Sequence, residues 1–253
     1  MRFCILASGS RGNSVFIESD YARVLVDVGL SARQIELRLR GIGVDPSSID
    51  AIVLTHDHTD HVRGVGVFAR RFGVPIYGHP DTLDNITYLL RNQETIQPWH
   101  REFFIKDLGF WPFPLPHDSY PTVGYLVEHH QRYLAICTDL GVATEEVKQH
   151  LQEANAILLE SNHDPEMLLN GPYPWHLKER IASHVGHLSN HNAGELLNAV
   201  LHPGVQQVIL GHLSEENNTA QLALQTVLEY LPTTVHDQVT VIEQRQVSPV
   251  FQL

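Results

Sequence analysis

Short apolar runs recur along the chain, and most of them end in polar or turn-forming residues. Runs of four to eight residues rich in Val, Ile, Leu and Phe, bounded by Gly, Ser, Asp or Pro, are typical of β-strands. The first three runs lie near the N-terminus, and the second and third form a hairpin-like pair. The pattern predicts strands at residues 3–7, 15–18, 23–28, 51–54, 74–77, 103–106, 108–116, 122–128, 133–137, 156–160, 206–210, 239–244 and 249–252.

Helices are predicted between these strands, where capping residues precede segments with helical spacing of apolar side chains. Three prolines in segment 108–116 confine that strand to a sheet edge. The strands form two successive sets, each interrupted by helices, which predicts an α+β protein with two mixed sheets packed face to face and helices outside. A single domain over residues 1–253 is the economical interpretation. The predicted helices cover residues 32–39, 62–71, 81–91, 144–148, 174–183, 192–201 and 219–231, with another beginning at 165.

The densest polar cluster is Thr55–His61, which directly follows a predicted buried strand. It contains three histidines and two aspartates within six residues. Alternate residues of an extended segment share a face, so His56 and His58 can point the same way. Asp60 and His61 follow at the start of a predicted helix. Imidazole and carboxylate suit zinc, manganese or iron, so the cluster predicts a metal site; the alternative is a solvated turn in which Asp60 caps the helix.

Acidic residues also follow two other predicted strands. Asp27 and Asp139 each end an apolar run and precede a glycine by two residues. Ser31 and Thr144 are available as the N-caps of the next helices, which leaves both aspartates free to bind a metal or to orient a ligand. Further polar residues at strand ends or in glycine-containing loops are His117, Glu160, Asn162, His187 and His212.

Composition narrows the class of function. The formal net charge of −12 argues against a broad basic face for nucleic acid but leaves room for a site whose positive charge comes from bound cations. No apolar run reaches the length of a membrane span, so no membrane association is expected. Cys4 and Cys137 both lie in apolar strands and are expected to be buried free thiols, which favours a cytoplasmic protein.

The motif His56-x-His58-x-Asp60-His61 resembles the signature of the metallo-β-lactamase superfamily, and the resemblance extends over nearly the whole chain. It implies an αββα sandwich and a centre of two divalent metal ions, zinc first, with manganese or iron as alternatives. The motif positions that match in the superfamily's order are Asp27, His117, Asp139 and His212. The resemblance implies that one ion is bound by His56, His58 and His117, and the other by Asp60, His61 and His212, with Asp139 bridging.

Three flanking segments, residues 8–14, 186–190 and 211–218, resemble the YycJ/WalJ type, which is related to the ribonuclease Z and ribonuclease J nucleases. This resemblance implies phosphodiester hydrolysis through a metal-bridging hydroxide, including 5′-to-3′ exonuclease action on DNA. The expected substrate-binding residues are Ser10, Asn13, His187 and Asn190.

Three residues receive catalytic roles in this hypothesis. Asp60 is expected to orient the nucleophile, and Asp27 to hold a ligand imidazole from the His56/His58 pair. His187 is expected to stabilise the transition-state charge or to protonate the leaving oxygen.

Two features of the sequence differ from other subgroups of the superfamily and bear on which reaction is expected. The segment between Asp139 and His212 is too short for an inserted β-CASP domain. Asp139 is a hard oxygen ligand, which favours phosphate chemistry. The first alternative is hydrolysis of a small phosphodiester or of a thioester, as in glyoxalase II. The second is a metal-binding regulatory domain without catalysis.

Overall fold

The computed structural model describes all residues from 1 to 253, and its strands form two seven-stranded sheets. The first sheet has the order β14-β1-β2-β3-β4-β5-β6 and the second β13-β12-β11-β10-β9-β8-β7. The strands are β1 (Arg2–Ala7), β2 (Ser14–Glu18), β3 (Arg23–Val26), β4 (Ala51–Val53), β5 (Ile76–Gly78), β6 (Ile96–Pro98), β7 (Phe103–Ile105), β8 (Leu108–Pro114), β9 (Val123–His129), β10 (Arg132–Cys137), β11 (Ala156–Glu160), β12 (Gln207–Gly211), β13 (Val239–Val241) and β14 (Phe251–Gln252).

Nine α-helices connect the strands. Short 3₁₀ segments lie at Pro46–Ser48, Thr87–Leu89 and Thr233–Gln238. The helices are α1 (Ala32–Gly41), α2 (Thr59–Val62), α3 (Val65–Phe72), α4 (Pro80–Asn85), α5 (Glu145–Leu151), α6 (Pro165–Asn170), α7 (Trp175–Ile181), α8 (Asn190–Val200) and α9 (Ala220–Tyr230).

Three buried apolar clusters hold the layers together. The cluster between the sheets joins side chains of both, such as Phe3 of β1 and Tyr125 of β9. A second cluster packs α5, α8 and α9 on the outer face of the second sheet, and a third packs α1 and α3 on the outer face of the first. Burial of apolar surface on both faces of each sheet stabilises this arrangement. The predicted α+β sandwich of two sheets with outer helices is therefore confirmed.

The polar residues of interest follow strands that run in the same direction. β3 to β6 are parallel, as are β10 to β13, so their carboxyl ends lie at common sheet edges. Three of the residues just beyond these strands, Asp27, Asp139 and His212, have left-handed backbones with φ of 62°, 61° and 53°. Residues other than glycine rarely adopt this conformation, and such strain is concentrated at functional sites.

Several predicted elements differ from the structure. The helix predicted over 62–71 is divided into α2 and α3 at Gly64, whose Cα packs so closely on the backbone of Leu30 that a Cβ would lie 2.2 Å from its oxygen. The helix predicted over 81–91 ends at Asn85. Strand β6 was not predicted, because its three residues are exposed and include a proline, so they form no apolar run.

The prolines of β8 do not make it the outermost strand, because β7 covers its first half. β7 pairs only with Leu108–Phe110, which leaves the half that contains Pro112 and Pro114 without a neighbour on that side. The predicted edge is thus confined to half of the strand. Both cysteines are buried and free, as predicted. None of the helices combines the length and the apolar character that a membrane span requires.

Candidate metal centre

Seven side chains predicted as metal ligands converge between the carboxyl ends of the two sheets. The ligand atoms of His56, His58 and His117 lie within 4.8 Å of one another and form a group that we call the first group. The ligand atoms of Asp60, His61 and His212 meet the same limit and form the second group.

Asp139 lies between these groups. Its Oδ1 is 3.7 Å from His117 Nε2, and its Oδ2 is 3.1 Å from His61 Nε2. The arrangement brings together all seven residues and gives Asp139 one oxygen near each group.

Hydrogen bonds fix the orientation of the imidazole rings. Nδ1 of His61 donates to Asp27 Oδ2 at 2.7 Å, and Nδ1 of His117 donates to the carbonyl of Gly186 at 3.0 Å. Nδ1 of His212 donates to Glu160 Oε1 at 3.0 Å. A ring that donates through Nδ1 keeps Nε2 available as a lone-pair ligand, which is the usual arrangement of metal-binding histidines. These three Nε2 atoms face the interior of the site.

Buried polar atoms without partners test whether the site suits cations. Nε2 of His56, Nε2 of His212 and Oδ2 of Asp139 are buried and make no aligned hydrogen bond, although Asp139 Oδ2 lies 3.1 Å from His61 Nε2. Such atoms are costly in a folded protein unless something satisfies them. They belong to the first group, the second group and the residue between them. Three lone-pair donors directed at one interior are what a pair of divalent cations requires, so the residues fit the metals.

The role of Asp27 differs from the sequence hypothesis. Its carboxylate holds His61, not an imidazole of the His56/His58 pair as predicted. It reaches His56 only through Thr55, whose hydroxyl donates to Asp27 Oδ2 at 2.8 Å and lies 3.0 Å from His56 Nδ1. The prediction failed because the direction of the His61 ring depends on α2, which carries it back toward β3.

Glu160, one of the polar residues noted at strand ends, orients two imidazole rings. It is fully buried at the end of β11, and its Oε1 accepts hydrogen bonds from His212 and from His187 Nδ1, the latter at 2.6 Å. Its Oε2 accepts from the amide of Leu140 at 2.7 Å, next to Asp139. The sequence could have indicated this role, because Glu160 is an acidic residue at the end of an apolar run, as Asp27 and Asp139 are.

Asp118 is a further residue that sequence reasoning missed. Its Oδ1 lies 3.3 Å from His117 Nε2 and 3.5 Å from His58 Nε2, and Arg180 forms an ion pair with its other oxygen. The pKa of the Asp118 carboxyl is lowered, because the hydrogen bond from Arg180 and the nearby histidines outweigh partial burial. It adds a negative charge beside the first group.

Two of the predicted substrate-binding residues are corrected by the structure. Asn190 is fully buried, and its amide oxygen accepts from Ser161 and Asn218, so it cannot contact a substrate. Asn13 is 5% exposed, and its Nδ2 lies 3.2 Å from Asp60 Oδ2. Asn13 therefore positions a candidate ligand. The sequence could not distinguish these roles, because asparagine occurs both in binding loops and in turns that it stabilises through its own side chain.

The other two predicted substrate-binding residues, Ser10 and His187, share a cavity of about 190 Å³ beside the centre. Arg180 and the hydroxyl-bearing residues Tyr173 and Ser214 also line it. Hydroxyl, guanidinium and imidazole groups are typical ligands of phosphate oxygens. Their role in substrate binding stays a prediction.

Charges divide the centre into two electrostatic halves. Burial alone would lower the pKa of both His61 and His212. The charge of Asp139 outweighs burial at both rings, together with Asp27 at His61 and with Asp60 and Glu160 at His212. Both pKa values are therefore raised well above the usual value. Burial and the neighbouring His61 lower the pKa of His56 well below its usual value. The protonated forms of His61 and His212 are therefore favoured without metal, and a cation would have to displace those protons to bind.

We expect Asp27→Asn to weaken metal binding by the second group. The loss of the carboxylate that holds His61 should lower the affinity about 10- to 100-fold, the usual effect of removing such a partner. Asparagine tolerates the left-handed backbone at this position, so the fold should persist. Competition with a chromophoric chelator measures the affinity. Asp164→Asn, whose side chain caps α6 and contacts no residue of either group, is the matched control, and equal affinities in the two variants would contradict the assigned role.

Two sheets between helical layers, with histidines and aspartates gathered at one edge, define a protein of the metallo-β-lactamase fold. The model of the family described as "Beta-lactamase superfamily domain" matches residues 22–213 of the chain. The chain belongs to the β-lactamase superfamily, and the family predicted from its motifs is confirmed.

Relatives of known sequence and structure agree with this family. The chain is 36% identical over 236 residues to the exodeoxyribonuclease WalJ of Streptococcus pneumoniae, covering 91% of this chain and 88% of the relative. It is 35% identical over 237 residues to the exodeoxyribonuclease YycJ of Bacillus anthracis, covering 91% and 89%. The crystal structure of the metallo-β-lactamase fold protein YhfI from Bacillus subtilis has a TM-score of 0.76 at 15% identity, covering 98% of this chain and 99% of that one. The predicted YycJ/WalJ-type resemblance is thereby confirmed, and the structural match confirms the fold.

Proposed function

We propose that the protein is a dinuclear metal-dependent phosphodiesterase that degrades DNA. The observation that carries this proposal is the pair of ligand groups that share Asp139, with unpartnered buried atoms in both groups and in the shared residue. Hydrolase chemistry on DNA is supported by the two relatives named exodeoxyribonucleases, each aligned over about nine-tenths of this chain.

The first group and the second group would each hold one divalent cation. Imidazole-rich coordination favours zinc, and the carboxylate oxygens of Asp60 and Asp139 also suit manganese. When bound, a metal pair supplies a water activated near neutral pH and neutralises charge on the phosphoryl oxygens. Asp60 is the most exposed of the second group, with 22% of its side chain accessible, so it can accept a hydrogen bond from an incoming water.

His187 is the proposed general acid. Its Nδ1 donates to Glu160, so the opposite nitrogen is free to face the cavity that contains Ser10. Burial would lower the pKa of His187, but Glu160 outweighs burial and raises it. The raised pKa favours the protonated imidazole, which can give a proton to the leaving oxygen as the phosphodiester breaks.

The acidic surface constrains how DNA would be held. With a net charge of −12, the protein repels a polyanion at long range, so contacts close to the centre must provide the affinity. Reduced, buried Cys4 and Cys137 are consistent with the proposed cytoplasmic location.

A substrate panel tests the proposal. Purified protein supplied with Mn²⁺ or Zn²⁺ is expected to hydrolyse bis-p-nitrophenyl phosphate and single- or double-stranded DNA, and Asp60→Ala should abolish both activities. RNA and a glutathione thioester complete the panel. Cleavage of the thioester alone would transfer the assignment to a thioesterase. Failure on every phosphodiester, with wild type and Asp60→Ala indistinguishable, would overturn the proposal.

A further inference from the structure

A groove of about 490 Å³ opens next to the first group and shares no lining residue with the cavity that contains His187. We call it the aromatic groove. His117 lines it directly, so the groove is continuous with the candidate metal centre. Its volume is within the range of about 300–1,000 Å³ that is usual for ligand-binding clefts. Nothing in the proposed hydrolysis uses it.

Flat aromatic side chains are the main feature of its walls. Trp99 forms a rigid part of the lining: it is 7% exposed and its ring stacks on Phe103 at a centroid distance of 5.9 Å. Trp111 is half-buried, and Tyr120 is 86% exposed. Tyr120 lies only three residues after His117. A large aromatic ring left in water beside a candidate active centre has little structural value and offers a face for stacking.

The rest of the lining favours a nucleic acid strand over a peptide. Pro112 and Pro114 occupy the half of β8 that has no outer neighbour, and proline has no N–H with which to pair an added strand. Arg101 is exposed and forms no ion pair, so its guanidinium is free for a phosphate or for stacking. Aromatic platforms with nearby arginine are how proteins hold single strands without reading their sequence.

We propose that the aromatic groove binds the single-stranded part of the substrate beside the scissile phosphate, with nucleobases stacked on Tyr120. This proposal rests on the proposed DNA phosphodiesterase activity and names how that substrate is held. It also explains how DNA could bind despite repulsion by the net negative charge, because stacking provides affinity that does not depend on a basic face.

The variant Tyr120→Ala tests whether the aromatic groove binds DNA, and Tyr21→Ala is its matched control. Tyr21→Ala removes a tyrosine of similar exposure, 75%, at the turn between β2 and β3 at the opposite end of the first sheet. We expect Tyr120→Ala to raise KM for an oligothymidylate of about twelve nucleotides roughly tenfold, the scale of losing one stacked base. Hydrolysis of bis-p-nitrophenyl phosphate should stay unchanged, and Tyr120→Phe should restore the wild-type KM. Tyr21→Ala should behave as wild type on both substrates.

An oligonucleotide of the same length without bases separates stacking from general damage. Wild type should bind it as weakly as Tyr120→Ala binds the complete strand. Equal KM values for wild type and Tyr120→Ala on oligothymidylate would overturn the groove proposal, as would an equal loss on bis-p-nitrophenyl phosphate. If wild type cleaved no DNA, the hydrolase proposal would fail separately, and fluorescence anisotropy with the metal present would still decide the groove: equal binding by both proteins, or none by either, would overturn it.

Discussion

Asp139→Ala is expected to lower kcat/KM for DNA about a thousandfold, because metal stabilisation of phosphoryl charge is worth several kcal/mol and each 1.36 kcal/mol is tenfold. Asp139 is the one carboxylate that approaches both ligand groups, at 3.7 Å from His117 Nε2 and 3.1 Å from His61 Nε2. Its loss should leave fewer than two metal ions per chain. Steady-state kinetics and elemental analysis of the same preparation measure the two effects.

Asp139→Asn is the control for the backbone at this position. Asparagine keeps one oxygen and tolerates the left-handed conformation, with φ at 61°, while removing the negative charge. If Asp139→Asn folds but binds less metal, the loss of metal in Asp139→Ala is due to the missing negative charge. Two bound metal ions and undiminished activity in both variants would show that Asp139 does not join the groups.

His187→Ala is expected to lower kcat about 100- to 10,000-fold while the metal content stays unchanged, since this is the usual contribution of a general acid. The raised pKa of His187 means that the wild-type enzyme loses its acid as the pH rises through that value, so kcat should fall on the alkaline side. In His187→Ala this alkaline decline should disappear. A pH–rate profile of both proteins measures it.

His184→Ala provides the matched change for this variant. His184 lies three residues earlier in the same loop, is exposed, and makes no side-chain hydrogen bond to the centre. It should retain wild-type kcat and the same pH profile. A His187→Ala protein that lost metal as well as activity would indicate that His187 is a ligand, in place of the proposed acid.

Much of the centre could be predicted because parallel strands deliver their polar ends to one edge. Asp27 directly follows an apolar run, and Asp139 and His212 each follow one after a single intervening residue, so the sequence alone indicates that they meet. The motif from His56 to His61 adds spacing that few other sites share. These features depend on apolar runs and on spacing within single segments, both of which the sequence shows, whereas the order of the strands in each sheet is known only from the structure.

The errors concern interactions between elements that are distant in sequence. Asp27 and His61 are joined by a side-chain contact whose direction depends on α2, so spacing could not identify the partner. Asn190 follows Ser189, the N-cap of α8, and the packing of that helix end turns its amide inward to Asn218. The groove beside His117 is lined by residues that range from His79 to Val185 and has no linear motif. Tertiary packing determines all three.

Stepwise metal reconstitution tests the central claim most directly. Mn²⁺ or Zn²⁺ would be added to the metal-stripped protein from zero to beyond two equivalents per chain while cleavage of single-stranded DNA is followed. A centre in which both cations are needed predicts little cleavage up to the first equivalent, an upward curve after it, and a plateau at about two. A linear rise that levels off at one equivalent, or no cleavage at two, would contradict it.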